Sequence, residues 1–345
     1  MKPLLTLPAL LSALLVLLLS ACSKAPELPV VSEFPLNPEQ VATLYGSQTT
    51  RQSLFDSGEQ RLKLDDRHLN IRLLAPASAG QYPLIVFSHG NWSNQLEYDA
   101  LLLHWASQGY VVLTVNHLDC CGMARGIVAA LRYGNVRLIE QRAWDLAMLL
   151  NQPQQLASRL PDGVTADQSR VALTGHSFGA YTAQLFAGAT LFDKKIQAQR
   201  SVPLQLAAPD AIRAIVAISP PGPMFTEITE HSWDHLQGPV LVTTGTWDVE
   251  PRFFPDYRLH LMSHKKAVPG SQYGLVLAGA DHYFGRLIGR TNRREPAQQH
   301  QFSLLLSVST AFLDAYVKDE AEALYFLQSN QLTEQTQGFA SLSIR

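Results

Sequence analysis

The sequence predicts an α/β protein with a mostly parallel central sheet and helices on both faces. Three observations lead there. Residues 84–87 (Leu-Ile-Val-Phe) and 110–115 are short, continuous apolar runs, as expected of strands buried on both faces. Stretches with apolar residues at helical spacing, such as 137–150, alternate with them. Finally, the apolar run 171–174 breaks into Gly175-His176-Ser177-Phe178-Gly179 and continues at once into helix-compatible residues 180–187. Strand, sharp turn and helix in that order raise one serine above the sheet, because glycines on both sides let the neighbouring backbone come close.

Taken in order, the chain begins with a targeting segment, residues 1–21. Lys2 gives a positive start, residues 9–19 are apolar, and Leu19-Ser20-Ala21-Cys22 resembles a bacterial lipobox with Cys22 as the lipidated residue. The run is short for a membrane span and is interrupted by Thr6, Pro8, Ser12 and Ser20. Ser23 after the cysteine suggests the outer membrane, so the expected location is the bacterial cell envelope, lipid-anchored. Residues 22–40, rich in Pro, Ser and Glu, read as a tether, residues 41–320 as the catalytic domain and 321–345 as a C-terminal tail.

Strands are expected within 62–75, at 84–87, 110–115, 171–174, 211–218, 239–244 and 273–277. Helices are expected at 98–108, 137–150, 180–187 and 299–316. Residues 188–210 read as a polar insertion. With 345 residues, 46% hydrophobic and 16% charged, the chain can build one large core, and a net charge of -2 offers no field to steer nucleic acid. Cys120 and Cys121 are adjacent and have no further partner besides Cys22; a vicinal disulfide and two free thiols both remain open.

In a sheet of this kind, chemistry sits at the carboxyl ends of the strands. Ser177 is the candidate nucleophile. Asp248 follows the strand at 239–244 and is the candidate acid, with Glu250 and Asp256 as rivals. His282, in Gly279-Ala280-Asp281-His282 after the last parallel strand, is the candidate base, and Asp281 reads as a turn residue. His89 precedes the serine and reads as a loop-holding residue rather than a base.

The order Ser177, Asp248, His282, together with Phe87-Ser88-His89-Gly90 and Ile218-Ser219-Pro220-Pro221, resembles the α/β-hydrolase superfamily. Within it the chain is similar to esterases of the platelet-activating-factor acetylhydrolase and dienelactone hydrolase type. It resembles cutinase-like polyester hydrolases at the superfamily level alone. It departs from true dienelactone hydrolases, whose nucleophile is cysteine. The resemblance covers residues 84–285. It implies an α/β-hydrolase fold and a serine carboxylic ester hydrolase that needs no cofactor or metal. The insertions near the site are short and show no large lid, so short-acyl esters are expected. The partner is then a small-molecule or lipid ester.

The resemblance also implies an oxyanion hole from the N–H groups of Phe178 and Asn91, with Trp92 as second choice. Trp92, Met224, Phe225 and Trp247 flank the site in sequence and are candidate pocket residues. An acyltransferase using the same residues, or a non-catalytic surface lipoprotein, are the alternatives. His231 and His235 are spaced like zinc ligands, but Ser232 stands where the glutamate of a zinc protease would be, so no metal site is expected there. Arg286, Arg290, Arg293 and Arg294 read as a basic face beside His282.

Overall fold

The computed structural model describes residues 27–47, 53–64, 67–251 and 253–345. The expected signal segment and Cys22 lie outside the described residues. No helix among the described residues is long and apolar enough to cross a membrane.

Among the described residues ten strands form one sheet: β1 (Leu54–Asp56), β2 (Gln60–Leu64), β3 (Arg67–Pro76), β4 (Gly80–Ser88), β5 (Val111–Asn116), β6 (Val164–His176), β9 (Ile212–Ile218), β10 (Val240–Gly245), β11 (Gln272–Leu277) and β12 (Ala340–Ile344). Their order is β1-β3-β5-β4-β6-β9-β10-β11-β12, with β2 paired to β3. The six strands from β5 to β11 run parallel, while β1, β2, β3 and β12 pair antiparallel at the edges. A separate hairpin, β7 (Leu191–Asp193) and β8 (Ala198–Arg200), occupies the expected polar insertion.

Because side chains alternate along each strand, the sheet builds two cores. On one face Ile85, Phe87 and Leu241 pack with α1 (Asp99–Ser107) and α5 (Gln299–Val317). On the other, Leu84, Val86 and Val242 pack with α3 (Asn135–Leu150) and α4 (Phe178–Gln184). Parallel strands covered on both faces explain the uninterrupted apolar runs in the sequence. This is the α/β-hydrolase fold.

Two boundaries read from composition need correction. Residues 27–40 do not stand off as a tether: Val31, Phe34 and Leu36 pack on the core, Phe34 stacks on His300 with ring centroids 4.1 Å apart, and Trp247 Nε1 donates to Pro29 O. A few well-spaced apolar residues outweigh the polar majority. Residues 321–345 are likewise part of the domain. α6 (Ala321–Gln328) buries Ala323, Phe326 and Leu327, and β12 closes the sheet edge against β11. The sequence reading also missed α2 (Met123–Tyr133), where Ile127, Val128 and Leu131 are exposed.

Removing residues 321–345 would uncover the β11 edge and the apolar surface under α6. The shortened chain is expected to be recovered as aggregate rather than folded protein. Phe326→Ala alone should cost about 2–4 kcal/mol in a denaturant titration.

Candidate active site

Strand β6 ends at His176, and Ser177 is held at φ 54° and ψ -123°, a conformation that L-residues rarely adopt. The Ser177 N–H donates to Ile218 O on β9 (2.8 Å), which ties the turn to the sheet. The two glycines have a physical necessity here. A Cβ at Gly175 would fall 2.3 Å from Gly179 O, and one at Gly179 would fall 2.0 Å from Ser88 O. Backbone thus meets backbone between the elbow and the end of β4.

The loop after β4 is fixed from below by buried polar groups. Arg142 on α3 pairs with Asp119 through two bonds, 3.0 and 2.7 Å, and donates to His89 O (2.7 Å) and Gly90 O (3.3 Å). Its guanidinium also lies over the Phe178 ring, 5.0 Å from the centroid. His89 is buried. Its Nδ1–H donates to Gly90 O (2.7 Å) and its Nε2 accepts from the His117 N–H (3.0 Å). Burial, with Arg142 nearby, lowers its pKa to about 4, so it is neutral and holds the loop.

With the Gly90 carbonyl drawn inward, a trans peptide turns the Asn91 N–H the other way. Among the described residues the N–H groups of Asn91 and Trp92 donate no hydrogen bond, and Phe178 opens α4, where N–H groups have no partner within the helix. The first turn of this loop is tight: Trp92 has φ 63°, and its indole fills the space that a side chain at Gly126 of α2 would need.

A second series of hydrogen bonds joins three loops. The Gly90 N–H donates to Tyr98 Oη (2.9 Å), and Tyr98 Oη lies 3.0 Å from His176 Nδ1. His176 Nε2 is 2.8 Å from His282 O and must donate, because a carbonyl only accepts. Burial holds the His176 pKa well below the ordinary value, so its Nδ1 accepts from Tyr98. The residue before Ser177 thereby binds the backbone of His282 directly.

His282 Nδ1 donates to Asp248 Oδ1 (2.8 Å), which leaves Nε2 as the nitrogen with a lone pair. Asp248 Oδ2 accepts from Thr244 Oγ1 (3.0 Å). Burial alone would raise the Asp248 pKa, but His260 and His282 outweigh it and hold the carboxyl well below the usual range. Among the described residues no hydrogen bond links Ser177 Oγ to His282; such bonds commonly tighten only when substrate binds.

The rivals for the acid are engaged elsewhere. Asp256 caps the turn at Arg258 and pairs with its guanidinium, and Glu250 accepts from the Phe253 N–H. Asp281 accepts from the N–H groups of Tyr283 and Gly285 and pairs with Arg293. Arg290 and Arg293 lie over the Tyr283 ring. His231 pairs with Asp234 on the surface. Of the pocket candidates, Phe225 meets the Phe178 ring edge-on at 6.0 Å, Met224 is half-buried, and Trp247 is held by Pro29. Cys120 and Cys121 are joined as a vicinal disulfide, and the Cys121 N–H donates to Ser93 O beside the loop.

Sequence reasoning missed a second Ser-His-Asp series. His117 Nδ1 donates to Asp145 Oδ2 (2.9 Å) and its Nε2 lies 2.9 Å from Ser88 Oγ. All three are fully buried or nearly so, and His117 is held well below its ordinary pKa by burial and by Arg142. No substrate reaches a serine at 0% exposure, so this series is part of the scaffold. Ser177 and His282 are both partly exposed. His260, which faces Asp248, was also missed, for it lies in a helical turn with no motif around it.

The chlorophyllase family model matches residues 55–202, which hold the loop after β4 and the Ser177 elbow but neither Asp248 nor His282. Chlorophyllase-1 of Arabidopsis thaliana is 29% identical over 114 residues, 33% of this chain and 31% of that protein. The match thus spans about a third of the relative. It agrees with the α/β-hydrolase fold and, coarsely, with an ester hydrolase kind of function.

Arg142→Met would leave Asp119 charged and buried without its partner. It is expected to destabilise the protein by about 3–5 kcal/mol in urea titration, and Asp119→Asn added to it should recover part of the loss. Alkylation of the denatured, non-reduced chain should label neither Cys120 nor Cys121 and label both after reduction, as read by mass spectrometry.

Proposed function

We propose that the protein is a serine carboxylic ester hydrolase working through an acyl-enzyme. The single observation that carries this reading is the Asp248-to-His282 hydrogen bond in the loop that His176 ties to the Ser177 elbow. It fixes the His282 tautomer in which Nε2 can take a proton.

In this reading Ser177 Oγ attacks the ester carbonyl while His282 Nε2 removes its proton. Asp248 orients the ring and stabilises the imidazolium as it forms. The N–H groups of Phe178 and Asn91, with Trp92 as the second choice, face the charge growing on the carbonyl oxygen; each such donor is worth about 10²–10³ in rate. His282 then protonates the departing alkoxide. Water, activated by the same imidazole, attacks the acyl-enzyme and releases the acid and Ser177.

The likeness to chlorophyllases supports ester hydrolysis as the reaction class. Short-acyl esters are the proposed substrates, as small molecules or lipids, and resemblance to acetylhydrolases of platelet-activating factor fits that choice. Residues 1–22 would place the enzyme, lipid-anchored through Cys22, in the bacterial cell envelope, where the exposed apolar face of α2 suits contact with lipid.

Ser177→Ala should lower kcat/KM for p-nitrophenyl acetate by about 10⁴ or more and abolish labelling by a fluorophosphonate probe. Asp248→Asn should lower kcat by about 10⁴ while leaving the fold intact by circular dichroism. Faster turnover of the palmitate than of the acetate would overturn the short-acyl preference. An unlabelled Ser177 in folded protein would overturn the reaction class.

A further inference from the structure

A second imidazole faces the same carboxylate. His260 sits in the helical turn Tyr257–Leu261 and is 1% exposed. Its Nδ1 lies 2.7 Å from Pro220 O, and its Nε2 lies 3.1 Å from Asp248 Oδ1. The Nε2 contact is bent away from hydrogen-bond alignment and is an ion-pair contact, with no other partner for that nitrogen. Phe254 covers the ring at 4.3 Å between centroids.

Both oxygens facing this ring are acceptors, one a carbonyl and one an anionic carboxylate. A neutral imidazole carries one N–H and one lone pair. With Nε2 protonated, the Nδ1 lone pair would face the Pro220 carbonyl at 2.7 Å; with Nδ1 protonated, a neutral ring would leave the Asp248 carboxylate 3.1 Å from an unprotonated Nε2 in a site closed to water. Only the doubly protonated ring gives Pro220 O a donor and sets a positive charge against the Asp248 carboxylate.

We propose that His260 is a permanent imidazolium that neutralises Asp248 and acts as a positioning residue for the base. This rests on the ester hydrolase reading for its consequence in catalysis, though not for the charge state itself. Asp248 then carries two imidazoles on one oxygen: His282 at 2.8 Å, which must cycle between neutral and charged, and His260 at 3.1 Å, which stays charged. The titratable groups facing His260 are Asp248 after β10, His282 after β11, whose ring centroid is 5.6 Å away, and His176 at the end of β6.

Burial pulls the His260 pKa down, but the Asp248 charge and the bonds to Asp248 and Pro220 outweigh it and leave it raised. Because the folded value is raised, its contribution to stability is complete below pH 6.5 and is lost as pH rises through the folded value.

In the resting site Asp248 and His260 sum to zero charge, so charging His282 yields a net cation instead of a neutral pair. A fixed cation at His260 repels a second cation on the His282 ring, whose centroid is 5.6 Å away. It also leaves the charged ring readier to give its proton to the leaving alkoxide.

The charge state is tested first, on the full chain with Ser177→Ala and ¹⁵N-labelled histidine, so that the readout needs no substrate. Two-bond ¹H–¹⁵N spectra should show one buried histidine with both ring nitrogens protonated well above pH 6.5, the ordinary value, and that signal should vanish in His260→Gln. A single protonated nitrogen at His260 in that range overturns the proposal. In the active enzyme, His260→Gln should move the acid limb of the kcat/KM profile to higher pH by about one unit. Loss of rate with an unmoved limb would mark a purely structural role and overturn the positioning role. Asp248, His260 and His282 could instead bind a metal ion, since their ligand atoms lie within 4.8 Å of one another. Zinc binding by the full chain in calorimetry, with activity removed by a chelator and restored by zinc, would overturn the imidazolium as well. Doubly protonated His260 in a protein inert towards every ester would leave the charge state standing and defeat the ester hydrolase reading alone.

Discussion

The arrangement depends on one close approach, that of the Gly179 backbone to the carbonyls of Ser88 and His89. A methyl group there would overlap Ser88 O at 2.0 Å and His89 O at 2.6 Å, so the elbow and the loop after β4 can meet only through glycine. That contact sets the distance between the serine and the N–H groups of the loop. It is a contact between backbones, and these are the least adaptable parts of a packed interior. The strained φ at Ser177 is held by the same enclosure, with β9 accepting its N–H from the other side.

Around this contact the protein has used polar groups where an apolar core would have been cheaper. Arg142 with Asp119, His89 with His117, and Tyr98 with His176 are all buried, and each has its bonding capacity engaged in the loops about Ser177. A buried ion pair is weak evidence of stability, since its desolvation nearly cancels its attraction. What it provides here is direction. Arg142 holds two consecutive carbonyls, and holding them fixes where the following N–H groups point. His176 does the same for the loop of His282 through a single carbonyl.

How much of this was legible follows from which physical signal each part carries. Strands β4, β5, β6, β9, β10 and β11 were readable because burial on both faces forces continuous apolar runs. The loops carrying Asp248 and His282 were readable because they come just after such strands. The glycines at 175 and 179 announced the elbow, since no other residue fits. The docking of residues 27–40 was not readable: Val31, Phe34 and Leu36 are too few to outweigh the surrounding Pro, Ser and Glu in any window. β12 reads Ala-Ser-Leu-Ser-Ile and is half-polar because it is an edge strand. His260, Arg142 and the Ser88–His117–Asp145 series have no spacing rule, because each is brought to its partner by tertiary packing alone.

The Ser88–His117–Asp145 series and the set Ser177, His282 and Asp248 differ in how completely their bonds are made. Both place a histidine Nδ1 on a carboxylate. At His117 the second nitrogen is already spent on Ser88, and Ser88 and Asp145 are fully buried. At His282 the second nitrogen carries no bond among the described residues, the N–H groups of Asn91 and Trp92 are uncommitted, and the ring is 20% exposed. Catalysis needs groups whose bonding is left incomplete until a substrate arrives, and the cost of that incompleteness has to be met by neighbours that are complete. Asp248 shows how this is done. Thr244 and His282 hydrogen-bond its two oxygens and His260 lies against one of them, while His282 Nε2 makes no hydrogen bond among the described residues.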